Sequence, residues 1–228
     1  MSRRNTFFIP QTWTPRSLTN LKLWVKSDTG ITLNGSNVAA WADQSGNGNN
    51  LIQGTALNQP AYVANQLNGY GSVQFDGIND KLVASFSLVQ PETVFIVYKN
   101  PSFLAGGYIF DGLTGDSGGY FQFGSSPLLY MYAGASFNPI TGIVGSYFLA
   151  TCIFSGTSSK HQRNNSAEQT GNVGSASMNG FTLGSYAGGS GYNGNPHVAE
   201  VIVMGATATS TERAKVREYV TSRYGISM

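Results

Sequence analysis

Tyrosines at strand spacing are the side chains in this sequence that could most directly bind a ligand. Tyr130 and Tyr132 lie two positions apart, so they share one face of a β-strand. Their rings can stack on the apolar face of a sugar, while neighbouring amides bond its hydroxyl groups. The alternative is that one of the two packs inward and that Leu129 and Met131 face solvent. The residues predicted to contact a glycan or a protein are Tyr120, Tyr130, Tyr132, Tyr186, Tyr192, Asn193 and Asn195.

A run of oxygen-bearing side chains at residues 43–49, DQSGNGN, is a candidate calcium site. Its alternating oxygens, with Gly at the sixth position, resemble the first half of an EF-hand loop. The twelfth position is Gly54 rather than a bidentate Glu, so more oxygens must come from elsewhere, and Asn79 is one candidate. The alternative is an Asx-turn network in which the same side chains cap backbone amides. The predicted ligands for Ca²⁺ are Asp43, Asn47, Asp76 and Asp80.

The composition limits the class of protein that has to position these residues. The chain has 228 residues, including 29 Gly and a single Cys, with 11% charged residues and a net charge of +2. One Cys excludes an internal disulfide framework, and the charge balance offers no basic face for nucleic acid. We see no signal peptide, and no apolar run approaches the roughly 18 residues of a membrane span. No nucleic-acid partner and no membrane insertion are therefore expected.

The pattern of short β-rich runs and turn dipeptides predicts an all-β domain over residues 21–228. One helix is predicted at about residues 210–224, because Thr209 and Glu212 have the spacing of a capping box. Gly225 is well placed to end that helix. A single amphipathic helix after many strands is expected to pack against the sheet structure.

Residues 1–20 are predicted to form an N-terminal arm, since Pro10 and Pro15 interrupt any periodicity. Phe7, Phe8 and Trp13 make this segment too apolar for a free tail. The arm therefore lies either on its own domain or on a neighbouring subunit. In the second case it would support a homo-oligomer.

Segments at both ends of the domain resemble a known family. The matching segments are LKLWVKSD at 21–28, VAAWADQSGNGN at 38–49, VQFDGIND at 73–80, YNG at 192–194, HVAEVIV at 197–203 and RYGI at 223–226. Together they are similar to a concanavalin A-like (LamG-like) domain over about residues 21–226. The resemblance implies a two-sheet antiparallel jelly-roll sandwich, often with a concave face that binds sugars. Such domains occur in lectins, glucanases, bacterial surface proteins and phage virion proteins.

Some segments match catalytic motifs in sequence, but the partner residues that catalysis requires are not at the expected positions. Residues 115–119, GDSGG, match a serine-protease pentapeptide, yet both His161 and His197 follow it, and a hairpin turn explains it. Glycoside hydrolysis needs two carboxylates about 5–10 Å apart. The paired E-x-D-x-x-E pattern of the glucanase relatives is missing from this sequence. We interpret Glu200, inside an apolar strand, as a buried residue hydrogen-bonded to backbone at the rim of the domain, and we expect no enzyme activity.

The expected function combines the family resemblance with the scarcity of acids. We expect a non-enzymatic structural and binding module of a phage particle, such as a head decoration, tail or fibre protein located in the virion. Its partners would be surface glycans or other virion proteins. The alternatives are a polysaccharide-active enzyme related to glucanases or lyases, and a bacterial surface lectin domain.

Overall fold

The computed structural model describes residues 13–137, 139–189 and 191–228, which contain seventeen β-strands and the helix α1 (Ser210–Tyr224). In chain order, β1 to β17 are Leu21–Lys26, Ile31–Asn34, Asn37–Trp41, Leu51–Ile52, Ala61–Leu67, Tyr70–Gln74, Leu82–Ala84, Glu92–Lys99, Tyr108–Asp111, Gly119–Phe123, Leu128–Tyr132, Ile140–Thr141, Phe148–Phe154, Ser159–Arg163, Gln169–Gly171, Phe181–Leu183 and His197–Met204. The predicted all-β class with one C-terminal helix is confirmed.

The strands pair antiparallel in one continuous sheet rather than in two separate ones. β17 pairs with β8 along one edge and with β1 and β6 along the other. From β8 the sheet continues through β13 and β14 to β15. From β6 it runs in the order β5, β3, β4, β7, β16, β9, β10, β11 and β12. The Arg163 guanidinium of β14 donates to the Thr141 carbonyl of β12, so the sheet is nearly closed.

The interior of the curved sheet is filled by apolar side chains from nearly every strand. β8 and β13 are rich in β-branched and aromatic residues, which suit a pleated sheet, and their side chains are buried on both faces. Trp41, Phe110, Phe148 and Phe181 lie in the main interior cluster and have no exposed surface. Each fully buried side chain of this size contributes about 1.5–3 kcal/mol relative to an exposed one.

A second apolar cluster lies between α1 and the outer face of the strands around β17. Val216, Val220 and Tyr224 of the helix pack there with Phe95 and Ile202. Thr209 and Glu212 form both hydrogen bonds of a capping box, and Gly225 ends the helix at a φ of 69°. The helix therefore begins and ends at the predicted signals, and it covers this part of the sheet. In the described part of the chain, no helix combines the length and the apolarity that crossing a membrane would require.

The part of the predicted arm that the structure describes lies on its own domain. Trp13 packs edge to face on Tyr219 of α1, with ring centroids 6.0 Å apart. Leu18 is buried in the cluster beneath the helix, and the Thr19 amide donates to Glu212 Oε1 at 3.0 Å. Residues 1–12 lie outside the described residues, so the predicted contact with a neighbouring subunit and the homo-oligomer stay predictions.

Candidate functional site

The outer face of β11 carries the tyrosines that the sequence places there. Tyr130 and Tyr132 are half-buried and point away from the interior, whereas Leu129 and Met131 are buried in the main cluster. The alternative arrangement, in which Leu129 and Met131 face solvent, is therefore not the observed one. This strand presents aromatic rings to solvent.

In β10 the outward-facing residues are Phe121 and Phe123, not the predicted Tyr120. Tyr120 is fully buried and cannot contact a ligand from solvent, whereas Phe121 and Phe123 point outward. The Tyr120 hydroxyl lies 3.0 Å from His161 Nε2 and 3.4 Å from the Tyr98 hydroxyl. Because its polar atom finds partners inside the protein, the complete ring can be buried. The predicted ligand contact of Tyr120 is therefore withdrawn.

An open cleft of about 300 Å³ lies beside this face, and we call it the aromatic cleft. It is lined by Gly106, Tyr108, Asp116, Phe121, Phe123, Tyr186 and Tyr192. Tyr108 is central to it, because its ring centroid lies 4.6 Å from that of Phe121, 5.1 Å from that of Tyr186 and 6.4 Å from that of Tyr192. Tyr186 and Tyr192 meet edge to face at 5.7 Å. The four rings therefore form one contiguous apolar wall.

The aromatic surface continues from the cleft onto β11. Tyr130 stacks on Phe121 with centroids 6.0 Å apart and an interplanar angle of 19°. Phe123, which is 58% exposed, meets Tyr130 edge to face at 5.8 Å. Tyr192 at the far end is 53% exposed. A contiguous patch of exposed aromatic rings is typical of a surface that binds a ligand or another protein.

Two glycines leave the space that the Tyr186 ring occupies. A Cβ at Gly115 would lie 2.5 Å from the Tyr186 hydroxyl oxygen, and a Cβ at Gly188 would lie 2.5 Å from the same atom. Neither position could carry a side chain without displacing the phenol. The position of the Tyr186 ring thus requires glycine at residues 115 and 188.

Asp111, at the end of β9, fastens the loop that carries Tyr186. Its Oδ1 accepts from the Gly112 amide at 2.8 Å, and its Oδ2 accepts from the Ala187 amide at 3.1 Å. The side chain has no exposed surface, and burial raises its pKa to about 6. Asp111 therefore positions the loop and does not itself reach the cleft.

Asp116 supplies the carboxyl group of the aromatic cleft. It is exposed, and its Oδ2 accepts from the Tyr186 hydroxyl at 3.4 Å. Its backbone φ of 63° lies in the left-handed region, which Asp tolerates better than most residues. The next residue, Ser117, is buried and donates to the Thr114 carbonyl, which closes a turn. The GDSGG segment is therefore a turn that presents Asp116.

Asn193 and Asn195 lie beside the aromatic cleft but do not line it. Asn193 Oδ1 accepts from Ser185 Oγ at 2.7 Å, and its Nδ2 donates to the Ile78 carbonyl at 2.5 Å. Asn195 Nδ2 donates to Ser102 Oγ at 2.9 Å. Both amides hold the loop that carries Tyr192, so they contribute to the site by positioning it.

The first pair of predicted calcium ligands forms a closed hydrogen-bond network. Asp43 Oδ1 accepts from the amides of Trp24 and Ser45, at 2.9 and 2.8 Å. Its Oδ2 accepts from Ser45 Oγ at 2.6 Å and from the Asn49 amide at 3.0 Å. Asn47 turns its amide nitrogen toward β1 carbonyls. Both carboxylate oxygens are occupied by donors, which matches the Asx-turn alternative and does not fit a calcium ion.

The second pair lines a separate opening of about 450 Å³, which we call the polar cleft. It is lined by Asn37, Ala56, Leu57, Gln59, Ala61, Gln74, Phe75, Asp76, Asp80 and His197. Asp80 Oδ2 accepts from the Asp76 amide at 3.0 Å, and burial raises the pKa of Asp80 to about 6. Within the described residues, no three His, Cys, Asp or Glu side chains are grouped to hold a metal. The two predicted pairs share no hydrogen bond, and calcium stays a prediction.

Glu200 lies beneath α1 and is saturated with side-chain donors. Its Oε1 accepts from Trp24 Nε1 at 2.6 Å, and its Oε2 accepts from the Tyr224 and Tyr219 hydroxyls at 2.5 and 3.2 Å. Arg223 Nε lies 3.5 Å from Oε2. Burial raises the pKa of Glu200. The carboxyl joins β17, β1 and α1, so the prediction of a buried, hydrogen-bonded Glu200 is confirmed. The predicted backbone partners are wrong, because the donors are side chains of β1 and α1.

Five residues of the aromatic cleft are missing from the predicted set: Gly106, Tyr108, Asp116, Phe121 and Phe123. Phe121 and Phe123 are two positions apart, which is the same signal that identified Tyr130 and Tyr132. Asp116 had no such signal, because its contact with Tyr186 joins loops that are distant in the sequence. The structure brings Tyr130, Tyr186 and Tyr192 onto one surface.

Comparisons with known proteins identify the fold but no family. No protein-family model and no curated protein matches the chain. Among solved structures, Trypanosoma rangeli sialidase in complex with sialic acid superposes with a TM-score of 0.63 at 13% identity, over 87% of this chain and 32% of that chain. A GH54 α-L-arabinofuranosidase superposes with a TM-score of 0.64 at 15% identity, over 82% of this chain and 51% of that chain.

A third solved structure is a single domain that this chain matches over nearly all of the domain's length. Domain 4 of a GH43 extracellular arabinanase from Geobacillus stearothermophilus, in complex with arabinotriose, has a TM-score of 0.59 at 12% identity, over 85% of this chain and 96% of that chain. By contrast, this chain spans about a third of the sialidase and about half of the arabinofuranosidase. At these identities the likeness shows a shared fold.

These matches contradict two predictions. A non-enzymatic phage-particle module is not supported, because the matched structures are a sialidase, an arabinofuranosidase and a domain of an arabinanase. The expectation of no enzyme activity is contradicted by the same structures. It rested on the spacing of acids along the sequence, yet the fold brings Asp76 and Asp80 into one cleft without the glucanase pattern.

Proposed function

We propose that this chain is a carbohydrate-binding domain of a carbohydrate-active protein and that the aromatic cleft holds the sugar. The observation that carries the proposal is the contiguous, partly exposed aromatic wall with one carboxyl group at its edge. Ligand sites typically combine an apolar lining with a few polar groups that fix orientation. This cleft has that composition.

The chemistry of each lining group suits a sugar. The rings of Tyr192 and Phe123 are exposed enough to stack on the C–H face of a sugar ring. The carboxyl of Asp116 can accept hydrogen bonds from sugar hydroxyls, and the Tyr186 phenol can donate and accept. Tyr130 extends the aromatic surface, so a chain of more than one sugar unit can contact it.

The domain that matches along its own full length supports an oligosaccharide as the ligand class. That arabinanase domain was solved in complex with arabinotriose. We also propose that the curved sheet is a jelly roll of the concanavalin A-like type. The support for this is that β8, β13 and β17 face β9, β10 and β16 across a common apolar interior.

The test is calorimetric titration of the protein with arabinotriose, cellotriose and sialyllactose. We expect at least one to bind, and Tyr192→Ala to weaken its binding about tenfold through the loss of a stacking ring, equivalent to about 1.4 kcal/mol. Val89→Ala is the matched control, because Val89 is a similarly exposed apolar side chain that does not line the cleft. Failure of all three sugars to bind, or equal binding by Tyr192→Ala, would overturn the proposal.

A second candidate function is glycoside cleavage in the polar cleft. The observation that favours it is that two carboxyl groups, Asp76 and Asp80, line this cleft together with His197. Paired carboxyl groups are what glycoside hydrolysis requires, one as proton donor and one as base or nucleophile. The same titration samples can be assayed for reducing-sugar release. Cleavage that is lost in Asp80→Asn supports this function, and the lack of any release in the wild-type protein excludes it for these sugars.

A further inference from the structure

The aromatic cleft carries charge of one sign. Among its described lining residues Asp116 is the acid, and the lining contains no Lys, Arg or His. Asp111 lies behind the loop that carries Tyr186 and accepts from its Ala187 amide. Burial raises the pKa of the Tyr186 phenol, and the negative charges of Asp116 and Asp111 raise it further. A group bound between Tyr186 and Tyr192 therefore experiences a negative field.

The position of this charge is fixed by the loop that bears it. The Ser117 hydroxyl bonds the Thr114 carbonyl and closes the turn around Asp116. The Asp116 side chain in turn contacts the Tyr186 hydroxyl, whose ring is confined between Gly115 and Gly188. The carboxyl group is thus held at the wall of the cleft, next to the rings on which a sugar would stack.

We propose that Asp116 makes the aromatic cleft selective for neutral sugars and excludes sugars that carry a carboxylate, such as sialic acids and uronic acids. The inference rests on the proposed function of this cleft. A sugar carboxylate near Asp116 is repelled, and no cation in the lining offsets the repulsion. A neutral sugar instead donates hydroxyl hydrogen bonds to the same carboxyl. This would distinguish the cleft from a sialic acid site, although the chain superposes on about a third of a sialidase.

The experiment compares a neutral trisaccharide with its own carboxylate derivative. The probes are arabinotriose or cellotriose, whichever binds, and the same sugar oxidised at its primary hydroxyl groups. We expect the wild-type protein to bind the oxidised form at least tenfold more weakly. Asp116→Asn, which keeps the shape and removes the charge, should reduce that ratio to about threefold or less. High salt should reduce the wild-type ratio in the same direction.

The control separates local charge from net charge. Glu218→Gln removes one negative charge from an exposed position on α1, outside the aromatic cleft, and should leave the ratio unchanged. Equal binding of both forms by the wild-type protein would overturn the inference. So would an unchanged ratio in Asp116→Asn, because the lost hydroxyl rather than the charge would then explain it. If none of the three sugars binds, the proposed function itself fails, whereas selective binding of sialyllactose would leave the proposed function standing and overturn this inference alone.

Discussion

On two outer faces of the curved sheet a carboxyl group lies beside tyrosines, and one of these faces is covered by a helix that supplies its tyrosines. Beneath α1, Tyr219 and Tyr224 donate to Glu200, which is 1% exposed. In the aromatic cleft, Tyr186 contacts the exposed Asp116 at a longer 3.4 Å. Residue types are similar, but the covered face uses its hydrogen-bonding capacity within the protein. The open face keeps that capacity for a ligand.

The comparison shows that the covering element, more than the residue types, separates a structural cluster from a binding site. Trp24 Nε1 adds a third donor to Glu200, so the carboxyl is surrounded on the covered face. A buried carboxyl without such donors would be strongly destabilising. Changes on the covered face should therefore alter folding, and changes on the open face should alter binding.

The largest expected effect is that of Glu200→Ala. Removing this carboxyl leaves Trp24 Nε1 and the Tyr219 and Tyr224 phenols beneath α1 without their acceptor, and we expect the free energy of unfolding to fall by about 3–5 kcal/mol. Urea denaturation followed by circular dichroism measures this change. Glu218→Ala, on the exposed side of the same helix, is the control and should change stability by less than about 0.5 kcal/mol. If Glu200→Ala lowered the free energy of unfolding only slightly, the Glu200 hydrogen bonds would not be what stabilises the covered face.

A paired removal of one hydroxyl on each face should give opposite results. Tyr224→Phe deletes a donor to buried Glu200 and should reduce the free energy of unfolding by about 1–3 kcal/mol with little change in sugar affinity. Tyr186→Phe deletes an exposed hydroxyl and should leave stability within about 0.5 kcal/mol while weakening sugar binding several-fold. Denaturation and calorimetry on both variants measure the four values. Equal stability losses would show that the two faces do not differ as described.

A smaller effect concerns Glu92. Its carboxyl group is buried, like that of Glu200, but it has fewer hydrogen-bond donors. Its Oε1 accepts from the Met178 amide at 3.0 Å, and its Oε2 has no partner among the described residues. Burial raises its pKa from 4.5 to about 8. Between pH 6.5 and 8 the folded state therefore retains a proton that the unfolded state has lost.

The contribution of Glu92 to stability should consequently fall as the pH rises through this window, by about 1 kcal/mol per pH unit. His161 and His197, whose folded pKa values are lowered from 6.5 to about 3 and about 4, contribute in the opposite direction near pH 6.5, because their unfolded forms are still about half protonated there; this contribution is nearly complete by about pH 7.5. Glu92→Gln mimics the protonated form and should remove the Glu92 contribution, so stability should fall more steeply with pH in the wild-type protein than in the variant. Thermal denaturation of both proteins at pH 6.5 and 8 tests this, and an equal slope in the variant would show that another group titrates.

Local signals made parts of the fold predictable. The bounds of α1 could be predicted from Thr209, Glu212 and Gly225 alone, because all three lie within the helix or directly beside it. β8 and β13 are continuous apolar runs, a pattern that is typical of buried strands. β14 has the polar sequence SKHQR and no such local signal, and it lies in the sheet through its pairing with β13.

The candidate site was predictable to the extent that it depended on alternation within a strand. Tyr130 and Tyr132 were placed on the correct face, whereas Tyr120 was not, since its buried hydrogen bond to His161 joins distant strands. Asp116 lies in the loop after β9 and Tyr186 in the loop after β16, and neither segment has a local signature of the contact between them.

The central position of β17 has a consequence for the synthesis of the protein. This strand is made after all the others, yet it joins β1 to β8, with Leu21 paired to Met204 and Glu92–Lys99 aligned along its other edge. Until residues 197–204 have emerged from the ribosome, the first strand has no partner and the edge of β8 is open. Such edges pair readily with other chains. The domain is therefore most vulnerable to misassembly before residues 197–204 have been made, and its sheet closes when β17 pairs with β1 and β8.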